Sequence, residues 1–470
     1  MQLINALRFF QPSSMAFVGA GGKTTAIFRA ASELLTAYCD AERINTVFIT
    51  TTTHLASCQS GLADHFYIID SLSDIEKLEN KLPNGVVLLT GKEINNLLGG
   101  LSPRLLEKVR VLAEDHNLSL LIEADGSHTC PLKAPAEHEP AIPDFAQTII
   151  VVAGLKGLGK PLTKHWVHRP EKFAELSGLQ IGEEVTGDKL AKVMLNRDGG
   201  LKNIPLNAHR IALLNQADTP ELQSQAKMIS EKLIPGYHST IIASLSGDNM
   251  EFSSNGNLRQ ERERGIHAVV EQIGGIILAA GRSSRFGEPK QLLLWKGEPM
   301  IRHVATIALK AGLSPVVVVV GSLGVEVEAV INDLPVRIVN NKDWMTGISS
   351  SIKVGITALP KEIGGAVFLQ VDQPHIPTLL IKSLIEAHQI TLNPIIAPQI
   401  DGQRGNPVLF DACTFLRLLS LEGDVGGRVL FGQFPVQWLT WHDSNLLMDI
   451  DSLEDYQKFL GIYPEGEVNI

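Results

Sequence analysis

Apolar positions in this chain come in short runs rather than long ones. Residues 15–18, 47–50, 149–153, 211–214, 276–278, 316–320 and 366–369 are each apolar or β-branched over strand length only, and most end in small or polar residues. Between some of them lie stretches with apolar residues at helical spacing, as in 26–38 (AIFRAASELLTAY) and from about 300 onward (MIRHVATIALKAG). Buried strands alternating with amphipathic helices predict an α/β chain whose sheets are mostly parallel and doubly wound.

The pattern loosens once. Residues 246–272 begin polar, contain glycine and hold few core residues, so they read as a linker between a first domain at 1–245 and a second at 273–470. No internal repeat shows, because the two glycine-containing loops described below differ in chemistry.

Composition narrows the partners. The chain has 470 residues and a formal net charge of −10, which argues against a general nucleic-acid or anionic-membrane surface and leaves phosphate chemistry to local clusters. The four cysteines, Cys39, Cys58, Cys130 and Cys413, have no CxxC spacing and read as free thiols of a reducing compartment. The first residues, MQLINALRFFQPSS, show no secretory pattern, and no apolar run approaches membrane length. The expectation is a cytoplasmic protein acting on small anions.

The most informative stretch is 275–297, GIILAAGRSSRFGEPKQLLLWKG. A strand ending at Leu278 gives way to Ala279, Ala280 and Gly281, then to Ser283, Arg285, Gly287 and Lys290. Small residues let backbone N–H groups approach an anion, and Arg285 and Lys290 supply charge, so this loop is expected to hold a triphosphate. Downstream, a second apolar strand ends in Asp372. One carboxylate fixed there is what a magnesium bridging phosphates needs, since the ion takes only one or two carboxylates. Trp344, Gly347 and Ser349 to Ser351 stand before a predicted helix, where hydroxyls cap it or meet a ligand.

The first half carries its own loop. Strand 15–18 runs into Gly19, Ala20, Gly21, Gly22, Lys23, Thr24 and Thr25 and then a helix. Glycines that wrap an anion, a helix N-terminus, a lysine for terminal phosphates and a threonine for magnesium make a nucleotide site. The loop is shorter than GxxxxGK[ST], with Phe17 where that pattern has glycine; Mur ligases have a similar GxxGKT loop. A strand closing on Glu123 and Asp125 offers metal or water-orienting oxygens opposite it. His54 ends a threonine run at another strand end. Lys133, Glu137, His138, Glu139, Lys156, Lys160, Lys164, His165, His168 and Arg169 form a dense ionisable region, either a substrate loop or a solvated face. Asn215 and Asp218 fall in LNQAD, a degenerate NKxD pattern in which the aspartate would read a purine and Gln216 replaces the lysine.

Two resemblances organise these motifs. The 278–290 segment resembles the LAAGxSxRxGxxK signature of the nucleotidyltransferase superfamily, in particular its MocA-type molybdenum cofactor cytidylyltransferases. That resemblance implies a GT-A-like, Rossmann-like domain with Asp372 as metal ligand and CTP as donor. It makes the blocks at 404–410, including Asn406 and Pro407, and 423–428 the acceptor side, with Asp449 or Asp451 as a second ligand. FVGAGGKTT, TTTTH, EADGS with PLKAPAEHEP, and LNQAD resemble the YqeC-type P-loop family, associated with maturation of selenium-dependent molybdenum hydroxylases. This implies ATP or GTP at the first domain and a hydroxylase apoenzyme as partner.

An acceptor phosphomonoester is already anionic, so transfer needs no general base; it needs two anions brought together and pyrophosphate stabilised as it leaves. Arg285, Lys290 and a Mg2+ (or Mn2+) on Asp372 suffice for that. The reading is therefore CMP transfer from CTP to a molybdopterin-type cofactor. Alternatives are a sugar- or alditol-phosphate nucleotidyltransferase, and a non-catalytic maturation factor driven by the first domain's NTP switch.

Overall fold

The computed structural model describes residues 1–9, 11–37, 45–126, 129–245, 265–281, 289–321 and 323–462. It divides into two compact units, Met1–Val270 and Glu271–Ile470.

The first unit is built on nine strands in the order Ile266–Glu271, Ser239–Ala243, His209–Asn215, Thr148–Gly154, Ser14–Gly19, Ser119–Glu123, Thr46–Thr51, Gly85–Thr90 and His65–Ile68. From Ser239–Ala243 to His65–Ile68 every neighbouring pair is parallel. Thr46–Thr51 and Ser119–Glu123 are buried at every position, as strands covered by helices on both faces must be. Ser14–Gly19 lies at the middle, and the chain returns to opposite sides of it through Ser119–Glu123 and Thr148–Gly154. Their carboxyl ends open a crevice at this switch point, where α/β sheets bind ligands. The stretch read as a linker ends in the edge strand Ile266–Glu271, because Ile266, Val269 and Val270 have apolar side chains to bury. Residues 246–264 lie outside the described ones.

The second unit shows its double winding residue by residue. Val316, Val318 and Val320 join one apolar cluster, with Ile277 and Ala279; Val317 and Val319 join another, with Ile276. The two clusters are the two faces of one sheet, separated by the period-two alternation of a strand. Its order is Val336–Asn340, Val316–Val320, Ile273–Ala279, Gly365–Gln370, Val408–Asp411, Ile395–Ile400 and Gln403–Arg404, with Val436–Thr440 also on Ile395–Ile400. The first four are parallel, as predicted; Val408–Asp411 runs against Gly365–Gln370. That reversal carries the chain from 411 back to the sheet edge, and residue 406 back to the carboxyl end of Gly365–Gln370.

Candidate functional site

In the second unit Leu278 pairs with Gln370, so Ala279 to Gly281 and Val371 to Asp372 leave the sheet side by side. An open cleft of about 850 Å³ forms there, its wall including Leu278, Ala280, Lys290, Gly347, Asp372 and Asp451. Buried Gln291 donates to the carbonyls of Ala279 (3.0 Å) and Gly281 (2.9 Å), fixing the small-residue loop where it leaves the strand. The next part of the loop, with Ser283, Arg285 and Gly287, lies outside the described residues.

Lys290 stands among acids. Its Nζ is 2.6 Å from Asp451 Oδ1 and 3.7 Å from Asp372 Oδ2. Burial, opposed by Lys290 and reinforced by the charges of Asp449 and Asp451, pushes the Asp372 carboxyl up to about 6. Asp449 is also raised, chiefly by burial, although Gln373 Nε2 donates to it at 2.5 Å. Among the described residues no three ligands converge at metal-binding spacing. Asp372 Oδ1 is nevertheless buried and, among the described residues, has no hydrogen-bond partner. A buried lone oxygen beside a second carboxylate fits magnesium, which takes one or two carboxylates and completes its shell from phosphate and water.

The opposite wall is a backbone clamp. Gly347 has φ +115°, and a Cβ there would lie 2.3 Å from the Gly423 carbonyl group. Ser349, 3% exposed, donates its hydroxyl to the Gly423 carbonyl at 2.7 Å. Ser349 therefore closes the clamp rather than facing the cleft; Ser351 is the serine on the wall. Asn406 and Pro407 stand at the same sheet edge, since Phe368 pairs with Val408, but outside the cleft wall.

In the first unit the glycine loop crosses the crevice between Ser14–Gly19 and Thr148–Gly154. Gly21 has φ +90°, and a Cβ would meet the Gly154 nitrogen at 2.3 Å, so only glycine fits. Lys23 opens the helix Lys23–Ala37 yet is only 3% exposed. Its Nζ donates to the Gly19 carbonyl at 2.8 Å and pairs with Asp125 at 3.2 Å and Glu123 at 3.8 Å. Asp125 in turn accepts the Gly19 N–H at 3.0 and 3.1 Å. Thr24 donates to Glu123 at 3.1 Å, and Thr25 is half-buried on the same turn.

Sequence reasoning left Lys133, Glu139 and Arg169 unassigned, and the structure links them to the loop. Lys133 bridges Asp125 (2.8 Å) and Glu139 (2.7 Å), and Arg169 grips Glu139 with two bonds at 2.7 and 3.1 Å. Glu123, Lys23, Asp125, Lys133, Glu139 and Arg169 thus alternate in sign, three acids with three bases, which is what makes their burial tolerable. Burial pushes Glu123 up. For Glu139 burial acts upward too, but the bonds from Arg169 and Lys133 together outweigh it and hold the carboxyl at about 2. The signal in the sequence was the density of ionisable residues from Glu123 to Arg169, which did not tell which acid meets which base.

The other expected contacts fall elsewhere. Asn215 is buried, donating to the Gly21 carbonyl at 2.8 Å and accepting the Leu245 N–H at 2.8 Å. It is a strut between loop and strand exit. Asp218 is exposed and pairs with Lys156 at 3.1 Å, while His54 is exposed on the short strand His54–Ala56. Cys58, Cys130 and Cys413 are free thiols; Cys39 lies outside the described residues. No helix among the described residues is long and apolar enough to cross a membrane.

Comparison with known proteins divides the chain the same way. The YqeC protein family matches residues 15–171, and the MobA-like NTP transferase domain matches residues 275–438. The chain is 33% identical over 207 residues to an uncharacterized protein YqeC of Escherichia coli, spanning 44% of this chain and 77% of that one. It is 31% identical over 198 residues to a nicotine blue oxidoreductase of Paenarthrobacter nicotinovorans, spanning 40% and 96% respectively. A molybdenum cofactor cytidylyltransferase of Escherichia coli is 25% identical over 188 residues, spanning 40% and 95%.

Proposed function

Because the chain belongs to the YqeC family in its first half and carries a MobA-like NTP transferase domain in its second, we propose that the second unit transfers CMP from CTP to a molybdopterin-type cofactor, releasing pyrophosphate. The observation that carries this reading is the meeting of Lys290, Asp372 and Asp451 at adjacent strand ends beside the Leu278 to Gly281 loop. Phosphate oxygens of CTP would lie against the loop, where Lys290 supplies counter-charge and exchanges Asp451 for a phosphate. Asp372, with Asp451 or Asp449, would hold the magnesium, which would neutralise charge developing on the phosphates. Gly347 and Asp424 shape the other wall, and the acceptor enters from the side of 404–428 as an anion that needs no base. Arg285 completes the cationic set.

The test is pyrophosphate release from CTP, GTP and ATP with molybdopterin and with a panel of sugar and alditol phosphates. CTP with molybdopterin is the expected pair; turnover with a sugar phosphate alone would overturn the assignment. Arg285→Ala and Asp372→Ala should each abolish transfer; if transfer survives both, these residues do not carry it and the enzyme assignment of this unit is wrong. A second reading comes from the likeness to a nicotine blue oxidoreductase, a redox enzyme by its name. A lysine among carboxylates at strand ends beside a small-residue loop meets the charge needs of phosphate transfer, so the transferase reading is favoured. Oxidation of a reduced nicotinamide nucleotide by the purified chain, with no pyrophosphate formed from CTP, would reverse that preference.

The first unit is read as an ATP- or GTP-binding accessory for molybdenum hydroxylase maturation, with the hydroxylase apoenzyme as its partner. A triphosphate would compete with Asp125 for both the Gly19 N–H and Lys23. Lys23→Ala should remove nucleotide binding by this unit, measured by equilibrium dialysis with labelled ATP and GTP.

A further inference from the structure

The glycine loop of the first unit already holds an anion, and that anion is part of the chain. Asp125 presents both carboxylate oxygens to the Gly19 N–H, at 3.0 and 3.1 Å, and its Oδ1 lies 3.2 Å from Lys23 Nζ. A backbone N–H at a strand exit and a lysine ammonium on the following helix are the donors that such a loop offers a phosphate. Lys23 and Asp125 are 3% and 2% exposed, so a phosphate gains this ammonium only by replacing the carboxylate.

Asp125 has a second place to go. Its Oδ2 is 2.8 Å from Lys133 Nζ, and a cavity of about 40 Å³ borders Gly19, Asp125 and Lys133 together, with Leu132, Val151 and Met194 among its walls. That is room for about two or three waters, or for a carboxylate that has turned off the loop. Lys133 can take more of that carboxylate because its other acid is provided for: Glu139, 2.7 Å from Lys133, is also gripped by Arg169 with two bonds. Glu123, which accepts the Thr24 hydroxyl at 3.1 Å, need not take part in the exchange.

We infer that Asp125 is a built-in competitor of the nucleotide. It closes the loop by occupying Gly19 and Lys23, and an arriving triphosphate drives it into the cavity beside Lys133. The inference rests on the nucleotide-binding reading of the first unit and states how that site is regulated. The apparent affinity is then the intrinsic one reduced by the fraction of chains whose loop is open. Neutralising Asp125 raises that fraction, and removing the Lys133 seat lowers it. A merely structural role for Asp125 would not tighten binding when the carboxylate is lost.

The experiment is equilibrium dialysis of the full chain with labelled ATP and GTP, with and without magnesium, taking as this loop's share the binding that Lys23→Ala lacks. Asp125→Asn should bind about ten-fold or more tightly than wild type, the size of one charge-assisted bond no longer in competition. Lys133→Met should bind about ten-fold more weakly, yet in the Asp125→Asn background the same change should have little effect, since no carboxylate then needs the seat. Thermal melting verifies folding; if Asp125→Asn does not fold, the Asp125→Asn/Lys133→Met pair, which removes one charge of each sign, should still bind more tightly than wild type. Unchanged affinity in Asp125→Asn would overturn the inference. Weaker binding confined to the magnesium series would overturn it too, and would make Asp125 a metal ligand. If neither wild type nor Asp125→Asn shows any binding that Lys23→Ala lacks, the nucleotide reading itself fails.

Discussion

Lys23 and Asp125 stand 3.2 Å apart with almost no exposure, and each is the other's link to a further opposite charge. A buried pair of this kind contributes little net stability when intact but is costly to break from one side. Lys23→Ala and Asp125→Ala are each expected to destabilise the first unit by about 3 kcal/mol or more, because each strands a buried charge. The double variant should cost clearly less than the sum. A double-mutant cycle in urea measures the coupling, and strict additivity would show that the two charges are independently solvated.

Gly347 leads to a different expectation. Its positive φ and the 2.3 Å approach to the Gly423 carbonyl group leave no place for a methyl group. Gly347→Ala must move 423–424 away from the helix Ile348–Thr357, opening the clamp that Ser349 closes. A loss of about 2 kcal/mol or more in stability is expected, as for other substitutions at strained positive-φ sites with a backbone clash. Ser349→Ala, which removes only a hydroxyl bond, should cost about 1 kcal/mol. Equal costs, by chemical denaturation, would mean that the backbone tolerates the displacement.

His375 gives the second unit an acid-sensitive element. Burial, opposed by Asp443 and by a backbone contact at Asn445, lowers its pKa from 6.5 to about 4. Between those values the unfolded chain binds a proton that the folded one does not, so stability rises with pH there. The contribution is complete above pH 6.5 and is lost as pH falls towards 4, by at most about 3 kcal/mol. His375→Gln should flatten this part of the stability profile. An unchanged slope between pH 7 and 4.5, followed by urea unfolding, would assign the acid sensitivity elsewhere.

How much of this was legible in sequence depended on whether the information was local. Val316 to Val320 announces a strand buried on both faces, and the structure puts its odd and even residues into different clusters. The glycine loop, the Leu278 to Gly281 exit and Asp372 were readable because each is a strand end followed by a distinctive chemistry. Strand direction was not: nothing in 408–411 tells that it runs against 365–370, since an apolar alternation reads the same both ways. The Lys133–Glu139–Arg169 chain depends on the pairing of Val167–His168 with Leu132–Lys133, a contact between segments more than thirty residues apart. Asn215 and Ser349 were read as ligand contacts because a polar side chain at a strand or helix end can bind either a ligand or backbone. In the fold both took backbone.

Asp451 poses the sharpest remaining question, since it touches Lys290 at 2.6 Å and flanks Asp372 at the same time. A carboxylate that only tethers the lysine would affect the donor phosphates through Lys290, and its loss would change the CTP KM. One that also completes a magnesium shell would affect how much metal is needed, because removing one of two carboxylates weakens the ion's hold while Asp372 keeps it in place. The position beside Asp372, whose Oδ1 has no hydrogen-bond partner among the described residues, favours the second role. Asp451→Asn should therefore raise the magnesium concentration for half-maximal transfer by about ten-fold, the lower end of losses for perturbed metal sites, with a smaller change in CTP KM. Lys290→Met should do the reverse, lowering transfer by about a hundred-fold through lost phosphate stabilisation, with little change in the magnesium requirement. If Asp451→Asn alters the CTP KM alone, the residue is a tether and Asp449 becomes the second ligand to test.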